Sequence, residues 1–510
     1  MPAAGALDAR RRAGEILSSR LHAARGLSSQ HALFLVLLMV GAALRVVVTV
    51  AFRPGLLFLQ DSYEYLLNAA HLQPGLVRPI GYALLLRVLQ PVGTSAVVPA
   101  LQHLLGLAAA SVLYVTLLRL GVRRWLSALS AAPLLLDAYQ IQAEQTVLAE
   151  TLALALVTTG LALLLGSAKP GVARLVGAGV VLAMAVLTRS AVLGLAVPLL
   201  ALPVLQQVGW KRALAAPAGL AVLLLSYAGW FASVHGSFAL QGYSGHLLAG
   251  RVMPFADCRL ISLPANERRF CPREALGRRP SSDFYDWRSP SPLRAHDVVG
   301  AAGSRLAGDF AQRVIRAQPG AFTHTVTGDV VHYFEPGRST GPLDYPIGQY
   351  SYANAYVPPL GHRPALRVPP DAPPGSIPYV GGRGPLTVAV YDLRLHRISP
   401  VLHKGLASWL ASYQRRAYTP GPVLAACLLL VLAASLGRLP AALQRLRATA
   451  IVLSVGALGL LVLPAATAVF DYRYLLAVLP IIPAAGAAAA EIILHRLGHA
   501  RRMRRAGPAG

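Results

Sequence analysis

The amino-acid sequence predicts a polytopic α-helical membrane protein with about ten transmembrane helices and one large external α/β domain. Hydrophobic residues make up 55% of the 510 residues and charged residues only 13%. A soluble core of this size could not hide so much apolar surface. Long apolar stretches recur along the chain, and arginines are concentrated between them. Lipid is therefore the expected surrounding for most of the apolar side chains.

Ten apolar stretches approach the roughly 20 residues that a membrane-spanning helix requires. Some are short or contain an internal proline, so their number is determined to within about one or two. The first stretch is too long for the apolar part of a cleavable signal peptide, and we interpret it as a retained span. The stretches are 31–52, 95–118, 125–140, 150–168, 173–188, 191–208, 213–234, 420–437, 448–469 and 474–494.

The basic residues predict the orientation of these spans. With the N-terminus in the cytoplasm, the basic tails 1–30 and 496–510 lie inside, and every inner loop carries two or more basic residues. The outer turn near 141–149 carries none. We therefore predict a multi-pass protein with both termini cytoplasmic. The abundance of Ala, Gly, Leu and Arg favours the plasma membrane of a bacterium. The inner loops contain Arg123 and Arg124, Lys169 and Arg174, Lys211 and Arg212, and Arg438, Arg445 and Arg447.

The net charge of +26 raises the question of a nucleic-acid partner. The arginines lie in short runs between apolar stretches rather than along one amphipathic surface, which is typical of topology signals. We therefore predict no nucleic-acid partner and expect membrane lipid around the chain.

This orientation divides the chain into modules. An N-terminal membrane module at 31–234 includes a first external loop at 53–94, an external soluble domain follows at 235–417, and the last helices occupy 418–495. The arginines of the external domain do not contradict the orientation, because long domains are translocated largely regardless of charge.

The cysteines of the external domain suggest a covalent link. Cys258 and Cys271 are 13 residues apart in a compartment predicted to be oxidising, which favours a disulfide over two free thiols. Cys427 lies within a span and is interpreted as a small apolar residue.

Secondary structure in the external domain is less regular. The spacing predicts a helix at 303–317 that ends before Pro319, whereas 386–395 fits either a strand or the start of a helix. The histidines show no tight metal-ligand spacing, so no zinc site is predicted from His235, His246, His324 and His332.

The first external loop is the most informative polar segment. Its stretch DSYEYLLNAAH, from Asp61 to His71, has helical spacing, with Asp61 as the predicted N-cap and Glu64 three residues later, a capping signature. A second apolar helix is predicted at 80–90. Two short amphipathic helices at the outer membrane face would account for this pattern.

Four motifs in this order resemble the lipid-carrier-dependent glycosyltransferases of the GT-C superfamily, which include bacterial relatives of protein O-mannosyltransferases and aminoarabinose transferases. They are QDSYEYL in the first loop, RPIGYALLLRVL after it, LTRS at 187–190 and DYRYLLAVLPII at 471–482. Ile80 and Ala83 replace the prolines usual in the family, so the subfamily and its metal dependence stay open, with a divalent cation as one option.

The resemblance implies sugar transfer from a polyprenyl-phosphate donor at the external face of the membrane. Asp61 would be the catalytic residue, a carboxylate that takes the proton of an acceptor hydroxyl as it attacks the anomeric carbon and inverts its configuration. Glu64 either shares this catalytic site, binds a cation or only caps the helix. The substrate-binding residues expected on the same basis are Arg78, Tyr82, Glu144, Arg189, Arg473 and Tyr474.

External arginines suit the phosphate of such a donor, because guanidinium groups pair with phosphate oxygens. Arg189 and Arg473 lie at outer ends of predicted spans, and Arg53 and Arg78 in the first loop. The alternative is that they reach out to lipid head groups. Arg45 lies inside the first span and is expected to pair with an acidic residue.

A second acidic group lies near 137–150. Glu144 is the better candidate for the site because it is expected in the outer turn, whereas Glu150 is expected to cap the following helix. Asp137 and both glutamates could equally be polar residues at span ends.

Three functions compete: a glycosyltransferase, a transporter or flippase of an anionic lipid-linked substrate, and a non-catalytic partner in envelope assembly. The first-loop motif and the large external domain favour the enzyme. The sugar is not specified by the sequence, and the acceptor is a glycan, a lipid or a protein hydroxyl.

Overall fold

The fold is described from a computed structural model, which covers residues 29–92, 96–288, 290–295, 300–355, 366–367, 379–380 and 401–505. Of the residues described, 72% are helical. The membrane-type helices are α1 Ala32–Ala51, α4 Val97–Arg119, α5 Arg124–Leu136, α7 Glu150–Leu165, α8 Val172–Thr188, α9 Leu193–Leu199, α10 Leu202–Leu205, α11 Trp210–Ala213, α12 Ala215–His235, α20 Gly421–Ser435, α21 Ala441–Thr467 and α23 Ile482–Arg505.

The remaining helices are shorter or more polar. They are α2 Leu59–His71, α3 Gly81–Leu89, α6 Ala138–Gln145, α13 Ser244–Val252, α14 Ala265–Arg268, α15 Ser282–Trp287, α16 Pro292–Ala295, α17 Ala301–Ala317, α18 Pro319–His332, α19 Lys404–Gln414 and α22 Arg473–Leu476.

Four helical segments are long and apolar enough to cross a membrane: 32–51, 97–119, 210–235 and 441–467. Five further apolar helices contain 10–17 residues. The protein is therefore a helical protein of membrane type, and each of the ten predicted stretches coincides with helix over much of its length.

Three predicted spans are divided. Stretch 125–140 breaks at Asp137, whose carboxylate accepts hydrogen bonds from Tyr139 N at 3.0 Å and Gln140 N at 3.4 Å and so starts the separate helix α6. Stretch 191–208 is interrupted near Leu200, between two prolines. The last helix begins at Ile482 rather than 474, because Pro483 fits only its first turn.

Close backbone contact brings α9 against α21. A Cβ atom on Gly194 would lie 2.5 Å from the carbonyl oxygen of Gly459, and a Cβ on Gly459 would lie 2.5 Å from that of Gly194. Only glycine permits this approach. This approach places the start of α9 beside the C-terminal half of α21, where both helices contribute to the cavity described below.

Residues 244–317 form a helical unit with its own core. Helix α13 packs against α17, and Phe270, Tyr285 and Phe310 are fully buried between the surrounding segments. The predicted disulfide between Cys258 and Cys271 is present. The predicted helix at 303–317 is confirmed as α17, and Pro319 begins α18 directly after it.

The external domain was predicted to be α/β, and its described residues are mostly helical. From 235 to 355 they contain helices and loops, and the strands described between 355 and 417 are two residues long. The strands are β1 Phe52–Arg53 paired antiparallel with β4 Val401–Leu402, and β2 Leu366–Arg367 paired antiparallel with β3 Tyr379–Val380. The segment 386–395, on which the strand prediction rested, lies outside the described residues.

Candidate active site

Asp61 lies in the first turn of α2. The N-cap of this helix is Phe58, so the prediction that Asp61 caps it is wrong by three residues. Ser62 reaches back instead, since its hydroxyl accepts a hydrogen bond from Phe58 N at 2.8 Å and donates one to the carbonyl of Val147 at 2.8 Å. The Asp61 carboxylate is therefore available for contacts away from its own helix.

Two arginines pair with Asp61. Arg78 Nη2 lies 2.5 Å from Oδ1, and Arg473 Nη1 lies 2.5 Å from Oδ2, while Asp61 itself is 6% exposed. Burial disfavours the charged carboxylate, but Arg78 and Arg473 outweigh this effect and lower the pKa of Asp61 to about 2. The residue is thus ionised at neutral pH.

Glu64 lies one turn further along α2 and holds Arg78. Its Oε1 accepts a hydrogen bond from Arg78 N at 3.0 Å, and its Oε2 is 3.7 Å from Arg78 Nε. Glu64 therefore contacts Arg78 instead of capping the helix, which was one of the three roles predicted for it. Burial raises the pKa of Glu64 to about 7, although Arg78 partly offsets it.

Arg189 and Arg473 meet at Glu150. Arg189 donates a short hydrogen bond to Glu150 Oε1, and Arg473 Nε lies 3.2 Å from the same oxygen. Glu150 is the first residue of α7, whose N-cap is Ala149, so it does not cap the helix as predicted. Glu150 instead joins Arg78, Arg189, Arg473 and Asp61 in a group of ion pairs that we call the arginine cluster.

Glu144 lies elsewhere. It is the penultimate residue of α6 rather than a turn residue, and it is fully buried. Its carboxylate accepts hydrogen bonds from Arg45 Nε and Nη2, both at 2.7 Å. Glu144 Oε2 also lies 3.0 Å from His103 Nδ1. Arg45 therefore has the acidic partner expected for it, and Glu144 is occupied within the helix packing. The substrate-binding role predicted for Glu144 has no support in this geometry.

Asp471 and Tyr350 complete the arginine cluster, and sequence reasoning did not single them out. Asp471 Oδ1 accepts from Arg473 N at 2.8 Å, and its Oδ2 accepts from the Tyr350 hydroxyl at 2.7 Å. The Tyr350 ring stacks on Phe58, and the Arg473 guanidinium lies 5.2 Å from the centre of the Phe58 ring. Asp471 could have been found in the motif DYRYLL. Tyr350 lies in a Pro- and Gly-rich loop that carries no comparable signal.

The two predicted tyrosines have different positions. Tyr474 lines the cavity, and the Arg189 guanidinium lies 5.0 Å from the centre of its ring. Tyr82 is fully buried, donates to Gln102 Oε1 at 2.7 Å and packs edge-on against Tyr65. Tyr82 is not among the described residues that line the cavity, so the substrate-contact role predicted for it is not supported.

A cavity of about 420 Å³ joins these groups. Asp61, Arg78, Arg189 and Arg473 line one part of it, whereas Glu64, Glu150 and Arg53 are absent from the described lining. Apolar side chains of α9 and α21, including Leu193 and Leu463, form a second part. The third part consists of Gln241, Ser244, Asp283, Asp286 and Trp287.

Within the described part of the chain, no group of three or more His, Cys, Asp and Glu side chains is arranged to hold a metal ion. Three of the four histidines considered from the sequence, His235, His246 and His332, have other side-chain contacts. His246, for example, is buried beside Tyr243, and its Nε2 lies 3.0 Å from the Tyr243 hydroxyl.

The chain was compared with known proteins at three levels. No model of a protein family, no curated protein and no solved structure matches it.

Proposed function

We propose that this protein is an integral-membrane glycosyltransferase that moves a sugar from a polyprenyl-phosphate donor to a cell-envelope acceptor, with inversion at the anomeric carbon. The observation that carries the proposal is the convergence of Arg78, Arg189 and Arg473 with the carboxylate of Asp61 around one cavity. The cavity combines cations suited to a phosphate with a carboxylate suited to a hydroxyl proton.

The arginines would bind the donor phosphate. Arg473 is held between Asp61, Glu150 and Asp471, at 2.5, 3.2 and 3.6 Å, so its guanidinium has a fixed direction. Fixed guanidinium groups pair with phosphate oxygens through parallel hydrogen bonds. Leu193 and Leu463, from helices of membrane type, offer an apolar surface for the adjoining isoprenoid chain.

Asp61 would be the general base. While it pairs with two arginines its pKa of about 2 makes it a weak base. A phosphate bound to Arg78 and Arg473 would compete for their hydrogen bonds, so the pKa of Asp61 would rise when the donor is in place. Basicity would then develop only when a donor is ready to react. The acceptor hydroxyl would lose its proton to Asp61 as its oxygen bonds to the anomeric carbon, while the bond from that carbon to the phosphate oxygen breaks and polyprenyl phosphate leaves. This direct displacement would invert the configuration.

Glu64 supports this arrangement as a residue that positions Arg78. It is separated from the described lining of the cavity, so we propose no direct contact between Glu64 and substrate.

We further propose the GT-C fold, ten membrane-spanning helices and two cytoplasmic termini in a bacterial plasma membrane. In this topology the cavity opens to the external side, and residues 235–417 help to select a glycan, lipid or protein acceptor. Support comes from the distribution of basic residues between the apolar stretches. A reporter fused within 280–288 is expected to be external, and a cytoplasmic signal there would overturn this topology.

Asp61→Asn is the direct test of the catalytic proposal. The full-length protein in lipid nanodiscs would be assayed with decaprenyl phosphates that carry glucose, mannose, galactose or arabinose, together with membrane extracts as acceptor source. We expect the variant to bind the donor and to lose at least about 100-fold in transfer rate, the lower range for general base catalysis. Asp309→Asn, an exposed aspartate of α17, is the matched control.

The same experiment distinguishes a glycosyltransferase from a transporter or flippase. If wild-type protein transfers no sugar but moves labelled lipid between leaflets, the transporter or flippase function is favoured. Full transfer activity in Asp61→Asn would show that Asp61 is not the general base.

A further inference from the structure

The part of the cavity formed by α15 differs chemically from the arginine cluster. Asp283 and Asp286 lie one helical turn apart on α15, and Trp287 follows directly, and all three line the cavity. Gln241 and Ser244 also line the cavity. We refer to these five residues as the acidic wall.

Asp286 is the most unusual member of the acidic wall. It is 2% exposed, and its Oδ1 has no hydrogen-bond partner among the described residues. His246 Nε2 is 3.8 Å from this oxygen, beyond hydrogen-bond distance. A buried carboxyl group without a hydrogen-bond partner is costly, and because Asp286 lines the cavity, a polar ligand there is placed to hydrogen-bond with this carboxyl group.

The backbone makes room for this carboxyl group. A Cβ atom on Gly250 of α13 would overlap with Asp286 Oδ1 and Cγ. The Asp286 side chain therefore lies directly against the α13 backbone, and its position depends on glycine at that residue. The Trp287 ring stacks on Tyr243, with 5.6 Å between ring centres and 15° between the ring planes, which fixes the aromatic part of the wall.

The five residues of the wall include two carboxyl groups and no basic side chain, which argues against a phosphate at this end of the cavity. Burial, together with Asp283, raises the pKa of Asp286 well above its usual value. Burial also raises the pKa of Asp283, to which Asp471 and Asp61 contribute. A carboxyl group accepts hydrogen bonds in either protonation state and also donates one when it is protonated, so both residues suit the hydroxyl groups of a ligand.

We propose that the acidic wall binds the hydroxyl groups of a carbohydrate, with Asp286 and Asp283 as hydrogen-bonding partners and Trp287 as the apolar surface against the ring. This inference deepens the proposed function and rests on it for the orientation of the substrate. The phosphate lies at the arginines and the sugar hydroxyls at α15. The carbohydrate is either the sugar of the donor or a glycan acceptor.

Binding to the full-length protein in nanodiscs tests the proposal. The probes are decaprenyl phosphate, decaprenyl phosphates that carry glucose, mannose, galactose or arabinose, and the soluble glycans maltotriose and mannotriose. We expect at least one sugar-bearing probe to lose about tenfold in affinity in Asp286→Leu, as expected for two lost neutral hydrogen bonds. The affinity for decaprenyl phosphate itself should stay within about twofold of wild type.

Three further variants make the test specific. Asp286→Asn should retain most of the affinity, because an amide also donates and accepts hydrogen bonds. Gly250→Ala should weaken the same probes as Asp286→Leu, because it displaces the carboxyl group without removing it. Asp309→Leu, at an exposed position of α17, should leave every affinity unchanged. Thermal unfolding of each variant checks that it is folded.

The probes identify the source of the carbohydrate. A loss confined to a lipid-linked sugar assigns the wall to the donor, and a loss confined to a soluble trisaccharide assigns it to the acceptor. If Asp286→Leu changes no affinity, the inference is overturned. It is also overturned if Asp286→Asn is as harmful as Asp286→Leu, because the wall would then require a charged carboxylate rather than a hydrogen-bonding group. Failure to bind decaprenyl phosphate would count against the proposed function alone, since the trisaccharides test the wall independently.

Discussion

Arg473 Nη1 lies 2.5 Å from Asp61 Oδ2, although 412 residues separate the two in the sequence. This pair joins the loop after the first apolar helix to the segment between the last two. Arg473 also contacts Glu150 at 3.2 Å, so three distant parts of the chain meet at one guanidinium group. Predictions about the site follow from this junction.

Arg473→Lys should weaken donor binding without removing positive charge. Lysine offers a single ammonium group in place of the planar fork that contacts Asp61 and Glu150 together. We expect the Kd for decaprenyl phosphate to rise roughly 10- to 100-fold, as for one lost charge-assisted hydrogen bond. Arg53→Lys is the matched control, because Arg53 is exposed and lies outside the described cavity lining. Equal binding by both variants would contradict a role for Arg473 in phosphate recognition.

Glu64→Gln should change how stability depends on pH. The pKa of Glu64 is raised from 4.5 to about 7 by burial, so the folded state favours the protonated form. Stability conferred by this protonation is present below about pH 4.5 and is lost as the pH rises through about 7. Glutamine stays neutral, so the variant should be more stable than wild type at pH 8, by about 3 kcal/mol at most, and similar at pH 5. Thermal unfolding of the purified protein at both pH values measures this. A variant that is equally stable relative to wild type at pH 5 and pH 8 would exclude the raised pKa.

Glu144→Ala should destabilise the protein through Arg45. The change leaves the Arg45 guanidinium, 3% exposed, without the carboxylate that receives two of its hydrogen bonds. Breaking a buried ion pair in this way costs about 3–5 kcal/mol, whereas the double variant Arg45→Met with Glu144→Leu should lose much less. The measurement is thermal unfolding of the single and double variants. If Glu144→Ala instead unfolds like wild type and loses donor binding, Glu144 belongs to the substrate site after all.

Removal of the disulfide should loosen the 244–317 unit. Cys258→Ser with Cys271→Ser opens a link between residues 13 apart, and chain entropy predicts a loss of about 2–4 kcal/mol. Thiol labelling of denatured protein gives an independent check, because the chain contains three cysteines and two are paired. One thiol should react without reductant and three with it, and Cys427→Ala should abolish the first signal. Three reactive thiols without reductant would disprove the link.

The sequence predicted much of the helical structure correctly because an apolar helix forms its hydrogen bonds within one segment. The helices of the first loop are an example, since 61–71 and 80–90 correspond to α2 Leu59–His71 and α3 Gly81–Leu89. Helix ends were predicted less well, as Asp61 and Glu150 show. Each was expected as an N-cap and lies inside its helix, where its carboxylate pairs with arginine.

The choice between Glu144 and Glu150 shows why the site could be predicted only in part. Both lie near the break between two apolar stretches, and their position in the sequence favoured Glu144. The start of a new helix at Ala138 turns Glu144 toward Arg45, and the start of α7 turns Glu150 toward Arg189 and Arg473. A shift of a few residues in a helix boundary changes which side of the helix a residue faces.

By itself the sequence determined that the chain is a helical membrane-type protein, which arginines are candidates for anion binding, and which cysteines pair. Only the tertiary structure decided that Asp61 is held by Arg78 and Arg473, that Glu150 joins them, and that Asp286 of a separate helical unit lines the same cavity. The physical reason is that apolar length and local spacing act within one segment of the chain. The partner of a buried charge, in contrast, is selected by how distant helices pack together.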